Sequence, residues 1–156
     1  MNGRLFFAAN DGTNGIELWI SDGTDAGTVL VKDIQPGAGS SSPHQLTNVD
    51  GALLFAANDG TTGIELWESD GTEALTVLVQ DINSGAASSS PHELTNFSGT
   101  LFFAANDGSR GVELWKATTN SSGSVDGSSG GGCFITTLTG EAKIFHSVVS
   151  RIFGRK

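Results

Sequence analysis

In 156 residues, 17 Asp and Glu stand against 8 Lys and Arg for a net charge of −9. Such an acidic chain repels phosphate backbones, which argues against nucleic-acid binding. Cys133 is the only cysteine, so an internal disulfide is excluded, and no apolar run reaches the length of a membrane span. The 22 glycines are interleaved with Ser, Thr, Asn and Asp at regular intervals, a distribution that predicts many short elements joined by tight turns.

The charge is unevenly placed. Residues 1–117 carry 15 acidic and 4 basic side chains, whereas residues 118–156 carry 2 acidic and 4 basic. The shift coincides with a change of composition and divides the chain into a β-repeat region (1–117), a Ser/Gly-rich linker (118–132) and a C-terminal tail (133–156). Residues 1–12, MNGRLFFAANDG, lack a charged stretch followed by a sustained apolar core and so read as no signal peptide.

Self-comparison defines the repeat. Trp19, Trp67 and Trp115 stand 48 residues apart, each closing the string E-L-W. Residues 3–50 align with 51–98 without gaps at 35 of 48 positions, and residues 99–116 match 51–68 at 12 of 18. Met1 falls in register with Val49 and Phe97. The chain is therefore expected to start inside a unit and to hold about two and a half units from the end of a longer array.

In chain order, one unit alternates strand and turn signals. Residues 46–49 form a short strand, and Asp50-Gly51 is a two-residue hairpin turn favouring positive φ. Residues 53–57 are a nearly continuous apolar run, as in a strand covered on both faces. A turn at 58–63 leads to a strand at 64–68, with Ile64 and Leu66 on one face and Glu65 and Trp67 on the other. Residues 69–72, S-D-G-T, turn into the β-branched strand 76–82. A longer loop, 83–92, crosses to the next unit. These elements predict an all-β fold of tandem four-stranded antiparallel meanders, an incomplete β-propeller-like array of about two and a half blades. A β-helix is the competing repeat fold, but its coils need no hairpin turns.

The strings E-L-W-I-S-D-G-T (17–24) and E-L-W-E-S-D-G-T (65–72) recur in fixed order with V-L-V-K-D-I (29–34), S-S-S-P-H-Q-L-T (40–47) and L-F-F-A-A-N-D-G (5–12). Over residues 1–116 the chain resembles the bacterial ELWxxDGT repeat family. In the tail, G-G-G-C-F-I-T-T-L-T-G (130–140) resembles the CFI-box C-terminal domain. Both resemblances imply an exported or cell-surface bacterial protein.

Several residues bear chemistry and are weighed against structural roles. Asp11, Asp59 and Asp107 recur in N-D-G, and Asp22 and Asp70 in S-D-G-T; carboxylates in turns are candidate calcium ligands. Their spacing does not fit an EF-hand, and Asp-Gly pairs make turns in their own right. Glu17, Glu65 and Glu113 each stand two residues before a Trp. One carboxylate per repeat does not make the converging pair that acid–base chemistry uses, so each is expected to accept a turn N–H or an inter-blade hydrogen bond. Trp19, Trp67 and Trp115 offer a sugar- or cation-binding surface, but a large aromatic at a fixed repeat position is expected in packing. His44 and His92 follow Ser-Ser-Ser-Pro in identical loops. A Ser/His pair invites a hydrolase reading, yet both copies share one context, and loop capping is expected. Arg110 and Lys116 are isolated basic residues on an acidic body.

The tail changes character. Cys133 directly follows three glycines on a flexible approach, a candidate for modification or cross-linking at the cell surface. Ile144, Phe145, Val148, Val149, Ile152 and Phe153 recur at helical spacing, which predicts a short amphipathic C-terminal helix. The expected function is a non-catalytic repeat module acting in adhesion or in protein or glycan binding, with no cofactor required. A fragment of a propeller-type enzyme and a calcium-stabilised spacer are the alternatives. The first unit lacks its opening strand and the last its V-L-V strand, so self-association through open blade edges is expected.

Overall fold

A computed structural model describes residues 1, 3–120 and 134–140. The described residues form strands and turns with no helix. The first sheet runs β1 (Leu5–Asn10), β2 (Ile16–Ser21) and β3 (Val29–Lys32); the second runs β4 (His44–Val49), β5 (Ala52–Asn58), β6 (Ile64–Ser69) and β7 (Val77–Gln80). In the third, β8 (His92–Phe97), β9 (Thr100–Asn106) and β10 (Val112–Asn120) repeat the meander, and β11 (Phe134–Gly140) lies outside β10. All pairings are antiparallel. The all-β meander with one sheet per unit stands as the sequence predicts.

The turns follow from local chemistry. Asp50 and Gly51 both have positive φ, 49° and 93°, the twist that suits a two-residue hairpin. Ser98 and Gly99 repeat it at 51° and 79°. In each case an Asn side chain steadies the turn: Asn48 Oδ1 accepts the Gly51 N–H at 3.1 Å and Asn96 Oδ1 accepts the Gly99 N–H at 3.0 Å.

Alternation along the strands builds two cores. Leu18, Ile20, Val31 and Ile34 of the first unit meet Leu53, Phe55, Ala57 and Trp67 of the second sheet. On the other side of that sheet, Leu54, Leu66 and Ile82 meet Leu101, Phe103, Ala105 and Trp115 of the third. Leu66 and Trp67 thus serve opposite interfaces, and six successive residues of β5, Ala52 to Ala57, are buried. That is why this strand carries no polar alternation. Leu54 and Phe55 are fully excluded from water, each contributing about 1.5–3 kcal/mol of transfer free energy.

Neighbouring sheets are also tied by polar contacts at their first strands. Asn96 Nδ2 donates to Asn48 O at 2.9 Å, and Thr47 Oγ1, whose proton goes to Gln45 O at 2.9 Å, lies 3.3 Å from Leu94 O. Between the first and second sheets, Lys32 Nζ donates to Thr76 O at 2.8 Å.

Two features lie beyond the repeat. The third unit is not left without a fourth strand, because β11 pairs with β10 from Trp115↔Gly140 to Asn120↔Phe134. Residues 134–140, F-I-T-T-L-T-G, are apolar and β-branched, a composition that suits a strand. β10 also runs to Asn120, three residues into the stretch expected as linker. The helix expected over residues 144–153 and Cys133 both lie outside the described residues.

Candidate functional site

The chemistry-bearing residues gather around the long loops at 33–43 and 81–91, and each copy is built alike. Glu17 and Glu65 are completely buried. Glu65 Oε2 accepts the Ile82 N–H at 3.0 Å and the Ser89 hydroxyl at 2.5 Å, while Oε1 accepts the Ser89 N–H at 2.7 Å. Glu17 makes the same three bonds with Ile34 and Ser41, at 3.0, 2.9 and 2.5 Å. One carboxylate therefore pins both ends of the loop. Burial pushes the Glu65 carboxyl above its ordinary range; the Ser89 hydroxyl and N–H and the Ile82 N–H oppose the shift, and the charge of Asp81 adds to it.

The three serines of each loop have separate tasks. Ser40 Oγ accepts the Ile16 N–H, the Ser41 hydroxyl donates to Glu17, and the Ser42 N–H donates to Ile16 O. Ser88, Ser89 and Ser90 repeat these bonds with Ile64 and Glu65. Ser41 O and Ser89 O accept the N–H groups of Asn58 and Asn106, each at 3.0 Å, which carries the loop onto the next sheet.

His44 Nδ1 lies 2.9 Å from Ser42 O, and His92 Nδ1 2.9 Å from Ser90 O. A carbonyl only accepts, so Nδ1 carries the proton in both. Ser41 and Ser89 direct their hydroxyls to a carboxylate and not to a histidine. The bond that would activate a serine nucleophile is thus not made by these residues, and the histidines cap the loop as expected.

The aspartates close turns. Asp11 Oδ1 accepts the Thr13 and Asn14 N–H groups at 2.8 Å each. Asp59 Oδ1 accepts those of Thr61 and Thr62 at 2.7 Å each, and Asp107 Oδ1 accepts those of Ser109 and Arg110 at 2.8 and 3.2 Å. Backbone N–H groups hold Asp11 and Asp107 below the ordinary carboxylate value; for Asp59, partial burial pulls upward, but the bonds from Thr62 and Thr61 prevail. Asp22 is lowered by the Thr24 hydroxyl and N–H, and Asp70 accepts the same pair from Thr72 at 2.7 and 2.8 Å. Among the described residues, no group of three or more His, Cys, Asp or Glu gathers as a metal site would require.

S-D-G-T has its own logic. The Thr76 hydroxyl donates to Thr72 O at 2.7 Å, so the Ser69 hydroxyl, 2.7 Å away, donates to Thr76 Oγ1. Ser69 Oγ in turn accepts the Gly71 N–H at 3.0 Å. Ser21, Gly23, Thr24 and Thr28 repeat the set.

The tryptophans pack between sheets. Trp67 and Trp115 are buried, while Trp19, with no sheet beyond it among the described residues, is half-buried. Trp115 Nε1 donates to Ala105 O at 3.2 Å. Glu113 is half-exposed, because the repeat's S-S-S-P-H loop does not recur after it. Lys116 is half-buried and Arg110 exposed.

Sequence alone does not single out Ser41, Ser89, Asp33 or Asp81. Asp33 Oδ2 and Asp81 Oδ2 accept the Gly37 and Gly85 N–H groups, at 3.1 and 2.9 Å. Their Oδ1 atoms are buried without a hydrogen-bond partner among the described residues. The available signal was the recurrence of D-I and S-S-S at a fixed distance from the E-L-W glutamate.

Fold and site together define a stacked antiparallel β-repeat whose buried glutamates tie its long loops. Comparison with known protein families, curated proteins and solved structures finds no match.

Proposed function

We propose that the chain is a non-catalytic interaction module of an exported or cell-surface bacterial protein, built as a propeller-like array and binding a protein or glycan partner. One observation carries the reading. In both four-strand-length units the groups able to do chemistry are bonded to the same loop and turn donors in the same register. Catalysis needs a cluster found once, whereas residues 3–50 and 51–98 differ at only 13 positions. The propeller arrangement is supported by the one-sheet-per-unit packing and by the long loop crossing to the next sheet. The surface location rests on the likeness of the E-L-W and S-D-G-T strings to the ELWxxDGT repeat family.

The test is to immobilise the full chain and screen it against a glycan array and a panel of extracellular proteins. Saturable binding to one chemical class is expected, with no turnover of ester, glycoside or peptide substrates. Turnover of any of these that disappears in Glu65→Gln or His92→Ala overturns the reading.

A further inference from the structure

The repeat ends its sheets on short strands. β3 and β7, the outer strands of the first two sheets, have four residues each. A short edge offers few N–H and C=O groups for another chain to pair with. The third sheet departs from this pattern. β10 has nine residues, against six in β2 and β6, and β11 runs along it from Trp115↔Gly140 to Asn120↔Phe134. The sequence of β11, F-I-T-T-L-T-G, does not repeat the V-L-V of β3 and β7. It nevertheless takes their place beside the E-L-W strand.

The backbone groups that β10 turns to β11 follow from the repeat. Asn58 pairs with Ile64, but its N–H goes to Ser41 O. Ile64 N–H goes to Ser88 Oγ, and Ile64 O takes the Ser90 N–H. Ile64 therefore turns its backbone groups away from β5, and successive residues of a strand alternate in this respect. In the third unit Val112 holds the place of Ile64, and its partner Asn106 likewise bonds outside the pair, to Ser89 O. By that alternation Lys116 and Thr118 face β11, whereas Trp115 and Ala117 face β9. Thr139 and Thr137, their partners in the register, carry the β11 N–H groups that bond to β10. The Leu138 N–H points away.

We propose that the outer edge of β10 is a strand-docking surface for the same strand of a second copy of this chain, and that β11 occupies it as a latch. Such an edge is read through backbone groups, so it accepts strands of unrelated sequence. That is how a strand from outside the repeat fits it. Antiparallel pairing of two β10 edges is self-complementary and closes at two copies. Length decides which edge matters, because β10 presents nine residues where β3 and β7 present four.

Sedimentation equilibrium of the full chain is the test, with Thr137→Pro and Leu138→Pro as variants. Proline removes an N–H; this breaks pairing where that N–H faces the neighbouring strand and is tolerated on an edge where it faces out. Thr137→Pro should run at twice the mass of the unaltered chain, and Leu138→Pro at the same mass as the unaltered chain. Both should keep a β-type circular dichroism spectrum. An excess of the free peptide F-I-T-T-L-T-G should return Thr137→Pro to one copy, because it refills the edge. Thr137→Pro staying at the unaltered mass overturns the docking surface. Equal association of both variants, or association that the peptide does not reverse, puts the contact elsewhere and overturns it as well. Growth beyond two copies overturns the self-complementary pairing. Loss of the β spectrum in either variant makes β11 a part of the folded core and overturns the latch.

Discussion

Glu65 and Ser89 lie 24 residues apart and share two hydrogen bonds, one from the Ser89 N–H at 2.7 Å and one from its hydroxyl at 2.5 Å. This pair, with Ile82 on the same carboxylate, converts an 11-residue crossing at 81–91 into a fixed part of the sheet. The first prediction follows from it. Glu65→Ala leaves two buried N–H donors and one hydroxyl unpaired, and should destabilise the chain by about 3 kcal/mol or more. Glu113→Ala, where the repeat loop is missing, should cost under about 1 kcal/mol. Urea denaturation of both variants measures the difference.

The pH profile should have its maximum on the acid side. Asp11, Asp22, Asp59 and Asp107 sit below the ordinary 3.8. Their contribution is fully present above that value and is lost as pH falls through their folded-state values. Glu65 sits above its ordinary 4.5, so its contribution is present below 4.5 and is lost as pH rises through the folded-state value. Net charge adds to the same trend, since the isoelectric point is about 4.5 and repulsion grows above it. Tm should fall between pH 5 and pH 8, and less steeply in Glu65→Gln, although Gln lowers Tm overall. A Tm that climbs steadily to pH 7 would contradict this.

The turn aspartates should be structural and indifferent to calcium. Asp59→Ala removes the acceptor of the Thr61 and Thr62 N–H groups and should cost about 1 kcal/mol. Thermal melts in millimolar calcium and in chelator should coincide. A rise of several degrees with calcium, absent in Asp59→Ala, would restore the calcium reading.

Two glycines with similar backbones should respond differently to alanine. Gly63 (φ 75°) would place a Cβ 2.7 Å from Ala87 O, while Gly85 (φ 93°) would meet nothing. Gly85→Ala should cost about 1–2 kcal/mol from the left-handed backbone alone. Gly63→Ala should cost clearly more, because the long loop must move away from β6. Denaturation midpoints of the two variants decide it.

Most of the meander was legible because its signals are local. Asp50-Gly51 marks a hairpin on its own, and the alternation of Glu65, Leu66 and Trp67 assigns two faces without any knowledge of the third dimension. The role of Glu65 was legible only in kind. That it accepts hydrogen bonds follows from its repetition, but its partners at Ile82 and Ser89 depend on where a long loop folds back. The place of β11 was not legible at all. Residues 134–140 carry no trace of the V-L-V repeat, and their pairing with β10 is a non-local choice that periodicity does not encode.

The central claim, that the repeated glutamates hold the long loops instead of performing chemistry, is tested most directly by amide hydrogen exchange. The N–H groups of Ile34, Ser41, Ile82 and Ser89 all donate to a buried carboxylate. They should exchange as slowly as the amides of β5, and Glu65→Ala should release those of Ile82 and Ser89 while leaving Ile34 and Ser41 protected. Exchange of all four at the rate of open loops in the unaltered chain would contradict the account.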